Sequence, residues 1–288
     1  MNYTEQAYAK LNLALDILGK RPDGYHELRM VMQSIDLADH LTVSTQAESG
    51  VTVTADLPYL PRGDGNIAAK AAARFFDAAG VPPEGLSIDI RKQIPVCAGM
   101  AGGSSDGAAV LRILRRLYTP DMPSERLEEI GALVGSDVPY CVRGGTVLAE
   151  GRGERLTDLP PLPPCWLVVC KPTCSVSTPE LFAQVRMKKL RCHPDMAGML
   201  RALEQKDLEG IARRLYNVFE DVLPRRYAEV FAIKSDLLGL GAMAASMTGS
   251  GPAVFGIFRD REPAARAAEA LSGQYPAVYL CSPIQPER

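Results

Sequence analysis

The 288-residue chain lacks a large excess of charge of either sign, because its 32 basic and 34 acidic side chains nearly balance. No basic surplus points to nucleic acid, and no run of like charges points to an interaction tail. An anionic ligand would therefore have to be held by local donors rather than by the field of the whole protein. With 47% hydrophobic and 23% charged residues, the composition predicts a globular protein of one large domain or two smaller ones.

Long apolar runs are also missing, and the N-terminus does not resemble a secretory signal. Glu5, Lys10 and Asp16 interrupt the apolar residues at the start of the chain. No stretch reaches the roughly 18–20 apolar residues that cross a bilayer. The seven cysteines are odd in number and contain no C-x-x-C pair, and the three histidines lie far apart. These features predict a reduced, cytoplasmic protein without a disulfide framework or a zinc site.

Apolar periodicity along the chain predicts an α+β protein. A hairpin is expected over 41–46 and 50–56. Further strands or strand pairs are expected over 86–95, 144–159, 165–172, 242–258 and 277–282. Helices are expected over 66–79, 107–118, 123–135 and 260–272, with a mostly helical stretch at about 179–238. The proline-rich LPPLPP at 159–164 would form a stiff connector. It is the best candidate boundary, which predicts domains at 1–158 and 159–288.

The stretch PVCAGMAGGSSD, from Pro95 to Asp106, follows a predicted strand and precedes a helix. Small residues let the backbone approach a ligand closely, and the free N–H groups of a helix N-terminus attract phosphate. The loop has no lysine after its last glycine and no G-x-G-x-x-G, so it fits neither common nucleotide-binding template. A phosphate site and a purely structural turn with a serine cap both remain open at this point.

Three further stretches, together with this loop, resemble the GHMP small-molecule kinases. They are AYAKLNLALDILGKRPDGYHELRMVMQSIDLAD at 7–39, GSDVPYCVRGGTVLAEGRGE at 135–154 and MTGSGPAVFGIF at 247–258. The resemblance implies a two-domain α+β fold, in which the N-terminal domain resembles the second domain of ribosomal protein S5 and the C-terminal domain is ferredoxin-like. It also implies that the active site lies between the two domains.

Within the family, the stretches at 7–39 and 135–154 resemble in particular the members that act on 4-diphosphocytidyl-2-C-methyl-D-erythritol. That resemblance implies transfer of the γ-phosphate of ATP, as Mg²⁺-ATP, to the 2-hydroxyl of this substrate. Lys10 and Asp137 match the catalytic pair. The positions that match the nucleotide side are Asn66, Pro95, Val96, Cys97, Ala98, Gly99, Met100, Ala101, Gly102, Gly103, Ser104 and Ser105, the last also as a candidate metal ligand. The positions that match the substrate side are Asn12, Tyr25, His26, Thr178, Phe182 and Gly249. No nucleic acid, membrane or protein partner is implied.

Phosphoryl transfer to an alcohol needs an oriented hydroxyl, a group that accepts its proton, and positive charge near the phosphate. Asp137 could be that base or could mainly orient the hydroxyl, and without the resemblance it is more typical of a turn or helix cap. Lys10 could instead be a solvated or edge residue, whereas an ion pair with Asp137 would satisfy both charges.

Several other matched residues have a structural alternative. His26 could cap a turn, Asn66 could cap a helix, and Gly249 could belong to a plain hairpin. A cytosine base would need an aromatic face, which Tyr25 and Phe182 could provide.

The loop departs from the family pattern at Cys97 and Ala101, where glycine is usual. If Ala101 needs a positive φ, its β-carbon should weaken phosphate binding; at a negative φ it would be tolerated. Two alternatives therefore stay open. One is a related kinase for another small alcohol such as homoserine or mevalonate. The other is a non-catalytic relative whose loop no longer binds phosphate.

Overall fold

The computed structural model describes residues 2–61, 63–83, 85–187, 190 and 192–286. Within these residues the strands are β1 Asn2–Lys20, β2 His26–Gln46, β3 Val51–Ala55, β4 Gly85–Arg91, β5 Thr146–Gly151, β6 Arg155–Asp158, β7 Trp166–Lys171, β8 Tyr216–Asn217, β9 Ala244–Met247, β10 Val254–Phe258 and β11 Ala277–Cys281. The α-helices are α1 Ile67–Ala79, α2 Gly102–Tyr118, α3 Ser124–Ala132, α4 Val138–Arg143, α5 Thr178–Gln184, α6 Met196–Glu204, α7 Leu208–Ala212, α8 Phe219–Val222, α9 Ala228–Gly239 and α10 Arg261–Ser272. Short 3-10 turns occur at Gly63–Gly65 and Arg225–Tyr227.

The larger sheet is built around the long antiparallel pair β1 and β2. Its order is β3-β4-β2-β1-β8, with β5 pairing to β2 and β6 to β5. The predicted hairpin over 41–46 and 50–56 is wrong, because β4 lies between β2 and β3 and runs parallel to β3. Alternation identifies a half-buried strand but does not choose its neighbour.

Helices α1 and α2 cover one face of this sheet with small and branched apolar side chains. Asn66 is the N-cap of α1, and Gly80 ends the helix with a φ of 65°. Gly107 of α2 lets the two helices approach, since a β-carbon there would lie 2.9 Å from Ile67 Cγ2. The glycine loop enters α2 at Gly102, so this helix begins before the predicted residue 107.

The smaller sheet is formed by four antiparallel strands in the order β11-β7-β10-β9. Numbered along the chain, this is the order 4-1-3-2 of a ferredoxin-like split βαβ unit, with α9 and α10 as its crossover helices. The mixture of helices and antiparallel sheets confirms the α+β class. Among the described residues, no helix is both long and apolar enough to cross a bilayer.

The two sheets are joined by more than the connector at 159–164. Strand β8 comes from the second half of the chain but pairs with β1, where Ala14 faces Tyr216. Near the end of the chain, Pro283 bridges to Ile35 of β2. Side chains of β1 also pack directly against the smaller sheet. The predicted boundary at 159 stays a prediction, because β1 of the larger sheet shares apolar clusters with the smaller sheet.

Candidate active site

Strand β1 carries Lys10 into the interior, where only 4% of the residue is exposed. Its Nζ donates to Asn12 Oδ1 at 2.7 Å and to the Gly99 carbonyl at 2.8 Å. Burial lowers the pKa of Lys10, and the negative charge of Asp137 opposes that shift. Lys10 is therefore not a solvated residue, and its ammonium ties β1 to the glycine loop.

The glycine loop adopts left-handed backbone conformations at residues that are not glycine. Cys97 has a φ of 54° and Ala101 a φ of 61°. This region costs an L-residue roughly 1–2 kcal/mol. The alternative of a negative φ at Ala101 is excluded. Between them, Gly99 must be glycine, because a β-carbon there would lie 2.2 Å from the Thr248 carbonyl oxygen.

The N-terminus of α2 is open. Its N-cap residue, Ala101, has no side chain to cap the helix, and the first turn contains no acid. The first helical hydrogen bond runs from the N–H of Ser105 to the carbonyl of Ala101 at 2.8 Å. The N–H groups of 102–104 thus have no acceptor within the helix. Together with the helix dipole, they form a positive end that suits a phosphate group.

The two serines of the loop have different surroundings. Ser105 is 1% exposed, and its hydroxyl donates to the Tyr8 carbonyl. Ser104 is partly exposed and follows the open turn of the helix. The predicted metal role of Ser105 therefore lacks a free hydroxyl, whereas Ser104 offers one. Across the described residues, no group of three His, Cys, Asp or Glu side chains is arranged to hold a metal ion.

Asp137 is the half-buried N-cap residue of α4, and its carboxylate makes no capping hydrogen bond. It does not form the expected direct ion pair with Lys10, as no ion pair of 4.0 Å or less joins these two described residues. Its charge nevertheless acts on Lys10 through space. Helix α4 is fixed by Tyr140, whose hydroxyl donates to the Gly145 carbonyl at 2.8 Å and lies 3.0 Å from Ser34 Oγ. No described residue donates a hydrogen bond to the Asp137 carboxylate, although its charge acts on the buried Lys10 ammonium.

The turn between β9 and β10 packs onto Lys10 and the glycine loop. The Thr248 hydroxyl accepts a 3.1 Å hydrogen bond from the N–H of Asn12. Gly249 has a φ of 56°, and a β-carbon there would lie 2.6 Å from the Gly99 carbonyl oxygen and 3.1 Å from Lys10 Nζ. This turn is a hairpin, as the structural alternative for Gly249 predicted, but it also packs against Lys10 and the glycine loop. Sequence reasoning missed Thr248, although it stands next to Gly249.

An aromatic cluster forms the other end of the site. The ring of His26 stacks on that of Phe182, with centroids 4.9 Å apart and planes 26° from parallel. Phe219 packs against Phe182 in a T-shaped arrangement, with ring centroids also 4.9 Å apart. Tyr25 is 53% exposed, and the Arg152 guanidinium lies 5.0 Å from its ring centroid. Arg152 was not predicted, and nothing in its local sequence marks it.

A hydrogen bond joins the aromatic cluster to the turn at Lys10. Thr178 and Phe182 both belong to α5, and the Thr178 hydroxyl lies 2.6 Å from that of Ser250. Ser250 is the neighbour of Gly249, where an added β-carbon would lie 3.1 Å from Lys10 Nζ. The structure therefore connects the predicted substrate residues to the predicted catalytic lysine through one short path.

Asn66 lies apart from this path and caps α1. Its Oδ1 accepts from the N–H of Ala68 at 2.9 Å, and its Nδ2 donates to the Pro61 carbonyl at 3.0 Å. Because both ends of the amide are used within the protein, the capping explanation accounts for this residue.

A cavity of about 1130 Å³ lies elsewhere, along the outer half of β1 and the end of α4. Tyr8, Arg91 and Gln285 line it, but none of the predicted site residues does. Its Arg112 is already occupied by Glu5 and by the Cys141 carbonyl. We therefore locate the candidate active site at the residues around Lys10 and not in this cavity.

Known proteins match the chain over both halves. A family model described as GHMP kinases N terminal domain matches residues 66–145, and one described as GHMP kinases C terminal matches residues 199–277. A 4-diphosphocytidyl-2-C-methyl-D-erythritol kinase of Bacillus licheniformis is 44% identical over 279 residues, which cover 97% of this chain and 96% of that protein. The chain belongs to the GHMP kinase family.

Two further GHMP kinases give the same result. A kinase of Clostridium perfringens with the same name as the Bacillus protein is 43% identical over 270 residues, covering 94% of this chain and 93% of the relative. A crystal structure of a 4-(cytidine 5′-diphospho)-2C-methyl-D-erythritol kinase superposes with a TM-score of 0.82 at 34% identity, covering 98% of this chain and 99% of the other. Membership confirms the expected GHMP fold and an ATP-dependent small-molecule kinase.

Proposed function

We propose that this kinase transfers the γ-phosphate of ATP to the 2-hydroxyl of 4-diphosphocytidyl-2-C-methyl-D-erythritol, a step of the non-mevalonate route to isoprenoid precursors. Relatives of that name, 40–44% identical over nearly the whole chain, support this substrate. The observation that carries the proposal is the His26–Phe182 stack, which α5 links to the turn beside Lys10. An acceptor with a nucleobase needs such an aromatic platform at a distance from its reacting hydroxyl.

The phosphate end of ATP is proposed to bind at the N-terminus of α2. The free N–H groups of 102–104 would donate to phosphate oxygens, and small residues leave room for their approach. Bound Mg²⁺ would offset charge on the transferred phosphoryl group. The scarcity of carboxylate clusters in the described residues agrees with a metal held mainly by the phosphates, with Ser104 as the candidate protein ligand.

Lys10 and Asp137 are proposed to act on the acceptor hydroxyl. The Lys10 ammonium, held by Asn12 and Gly99, is a fixed positive charge beside the loop. Asp137 has no hydrogen-bond donor on its carboxylate from its own helix, which leaves an oxygen free to orient the hydroxyl or accept its proton. The Lys10 charge would thus stabilise the alkoxide character that develops on the acceptor oxygen during transfer, and Asp137 would promote it by orienting or accepting the hydroxyl proton.

The cytosine base is proposed to bind at the aromatic cluster. Tyr25 exposes one ring face, and His26 provides ring nitrogens for the edge of the base. Since His26 stacks on one face of Phe182, a base could use that face only by displacing the imidazole, whereas a base that stacks on Tyr25 need not displace it. Asn12 accepts a 2.7 Å hydrogen bond from Lys10 Nζ, and its Nδ2 donates to Met30 Sδ at 3.5 Å.

The proposal is tested by a coupled assay of ADP release with Mg²⁺-ATP. The protein is incubated in parallel with 4-diphosphocytidyl-2-C-methyl-D-erythritol, homoserine and mevalonate. We expect turnover on the cytidyl substrate alone, and ³¹P NMR of the product should locate the new phosphate at the 2-position. The Asp137→Asn variant, purified in the same way, controls for contaminating kinases.

Each outcome separates one part of the proposal from the rest. Turnover on homoserine or mevalonate alone would discard the base-binding role of Tyr25, His26 and Phe182 while keeping the kinase chemistry. Absence of both turnover and ATP binding would favour a non-catalytic relative and implicate Cys97 and Ala101.

A further inference from the structure

A buried cluster of three charged side chains lies directly beneath the glycine loop. Lys92 Nζ is paired with Asp39 and, at 2.7 Å, with Asp106 Oδ2. All three side chains are nearly inaccessible, with exposures of 4%, 0% and 6% for Lys92, Asp39 and Asp106. Burying two carboxylates on one ammonium is costly, so an arrangement of this kind calls for an explanation other than fold stability alone.

The cluster is attached to the chain both before and after the loop. Before the loop, Asp39 Oδ1 accepts from the N–H groups of Gln93 and Ile94 at 2.6 and 2.8 Å. These bonds end β4 and turn the chain into the loop. After the loop, Asp106 stands in the first turns of α2. Lys92 joins the two carboxylates, so the entry and the exit of the loop are connected through a single ammonium group.

The ammonium also lies against the open end of α2. A β-carbon on Gly102, the first residue of that helix, would be 3.4 Å from Lys92 Nζ. Asp106 Oδ1 is buried and has no hydrogen-bond partner among the described residues. Burial raises the pKa of Asp106 to about 7, while Lys92 opposes the shift. Burial alone would lower the pKa of Lys92, but Asp106 and Asp39 raise it above its usual value.

Between these two anchored ends lie the strained residues. Cys97 and Ala101 both have left-handed backbones without being glycine. A strained conformation persists only when its surroundings hold it in place. Lys10 contributes one such contact from the other side of the loop, through the Gly99 carbonyl. The N–H groups of Ala253 and Lys10 also donate to the carbonyls of Ala98 and Met100, at 3.3 and 3.2 Å. The charged cluster anchors the chain on either side of these contacts.

We propose that Asp39, Lys92 and Asp106 are positioning residues that hold the glycine loop in the strained conformation needed to receive the phosphates of ATP. The cluster acts through the loop and touches neither substrate. This role rests on the proposed ATP site, and it adds residues that the motif itself does not contain.

The first test is the variant Asp106→Asn, which removes one charge and keeps the shape. An asparagine still offers an oxygen to Lys92, so the fold should survive. We expect ATP affinity, measured by calorimetry, to fall about tenfold and the KM for ATP to rise by a similar factor, as for the loss of one charge-assisted hydrogen bond. The KM for the acceptor should not change. Asp39→Asn should behave in the same way.

The matched control is Glu128→Gln, which weakens the Glu128–Arg143 ion pair between α3 and α4, with side-chain exposures of 12% and 16%. It should lower the melting temperature without altering ATP affinity. Amide hydrogen exchange of the unliganded proteins adds a readout that needs no ATP. Residues 93–104 should exchange faster in Asp106→Asn than in the wild type, and should not in Glu128→Gln.

The second test is rescue by Ala101→Gly. If the cluster holds the loop against backbone strain, Ala101→Gly should make that support less necessary. It should then raise the ATP affinity of Asp106→Asn by a larger factor than it raises the ATP affinity of the wild type. Equal effects in both backgrounds, or unchanged ATP affinity and loop exchange in Asp106→Asn, would overturn the positioning role. A wild-type protein that binds no ATP would instead refute the ATP site itself.

Discussion

At the scale of single residues, the β-carbon of Ala101 is the clearest source of strain at the site. We predict that Ala101→Gly raises the free energy of unfolding by about 0.5–1 kcal/mol, because relief of the left-handed strain outweighs the added freedom of glycine in the unfolded chain. ATP affinity should rise as well, since the loop no longer resists the conformation that binds phosphate. Urea unfolding and calorimetric titration measure the two effects.

Ala98→Gly is the control for this prediction within the same loop. Ala98 is 2% exposed and does not have a positive φ. Glycine there should lower the free energy of unfolding by about 1 kcal/mol, because a methyl contact is lost and backbone entropy is added. Similar losses from both substitutions would contradict strain at Ala101.

Asp137 provides a second prediction at this scale. Because its carboxylate makes no capping bond and is only half buried, Asp137→Asn should change the free energy of unfolding by no more than about 0.5 kcal/mol. The kcat should nevertheless fall by about 10²–10⁴-fold if the carboxylate accepts or orients the hydroxyl proton. Loss of its charge should also lower the pKa of Lys10 further. Steady-state kinetics with thermal unfolding tests this, and a near-normal kcat would remove Asp137 from the chemistry.

At the scale of secondary-structure elements, α5 is proposed to determine whether the site recognises a base. We predict that Phe182→Leu raises the KM for the cytidyl substrate about tenfold or more, as stacking on an aromatic ring contributes roughly 1–3 kcal/mol per base. The KM for ATP should stay constant, because the Thr178 hydroxyl joins α5 to the turn at Ser250, whereas the ATP phosphates are proposed to bind at the N-terminus of α2. Kinetics with each substrate varied in turn separates the two constants.

Phe231→Leu is the matched control, since Phe231 is 42% exposed on α9 and belongs to no part of the proposed site. It should leave both KM values unchanged. If Phe182→Leu raises the KM for ATP equally, the helix supports the whole cleft and does not select the base.

The elements also show what could be predicted from the sequence and what could not. The start of α1 at Asn66 and the hairpin at 144–159 were predictable, because caps and turns are local signals. The pairing of β3 with β4 was not, since it depends on a crossover that no local pattern encodes. Lys10 and the glycine loop could be predicted because they belong to local sequence motifs. Asp39 could not, because it is 53 residues from its partner Lys92 and no local pattern marks the pair.

At the scale of the whole molecule, the two sheets share structure that a division at the proline connector would not suggest. Strand β8 completes the larger sheet from the second half of the chain, and the N–H of Val218 donates to the Leu15 carbonyl at 3.1 Å. Leu11 and Leu13 of β1 lie in one apolar cluster with Val169 and Phe255 of the smaller sheet. Separate unfolding of either half would expose this shared surface to water.

We therefore predict a single cooperative unfolding transition in urea. Trp166, the only tryptophan, lies in β7 and reports on the smaller sheet, while far-UV circular dichroism reports on all helices, including α1 and α2. The two signals should have the same midpoint, and ATP should shift both together because it binds only the folded protein. A dichroism transition in two steps, with Trp166 following only one of them, would mean that the halves unfold independently despite β8. In that case ATP should raise the midpoint of only one step, the unfolding of the N-terminal half that contains the glycine loop. The stability of the loop would then depend on that half alone.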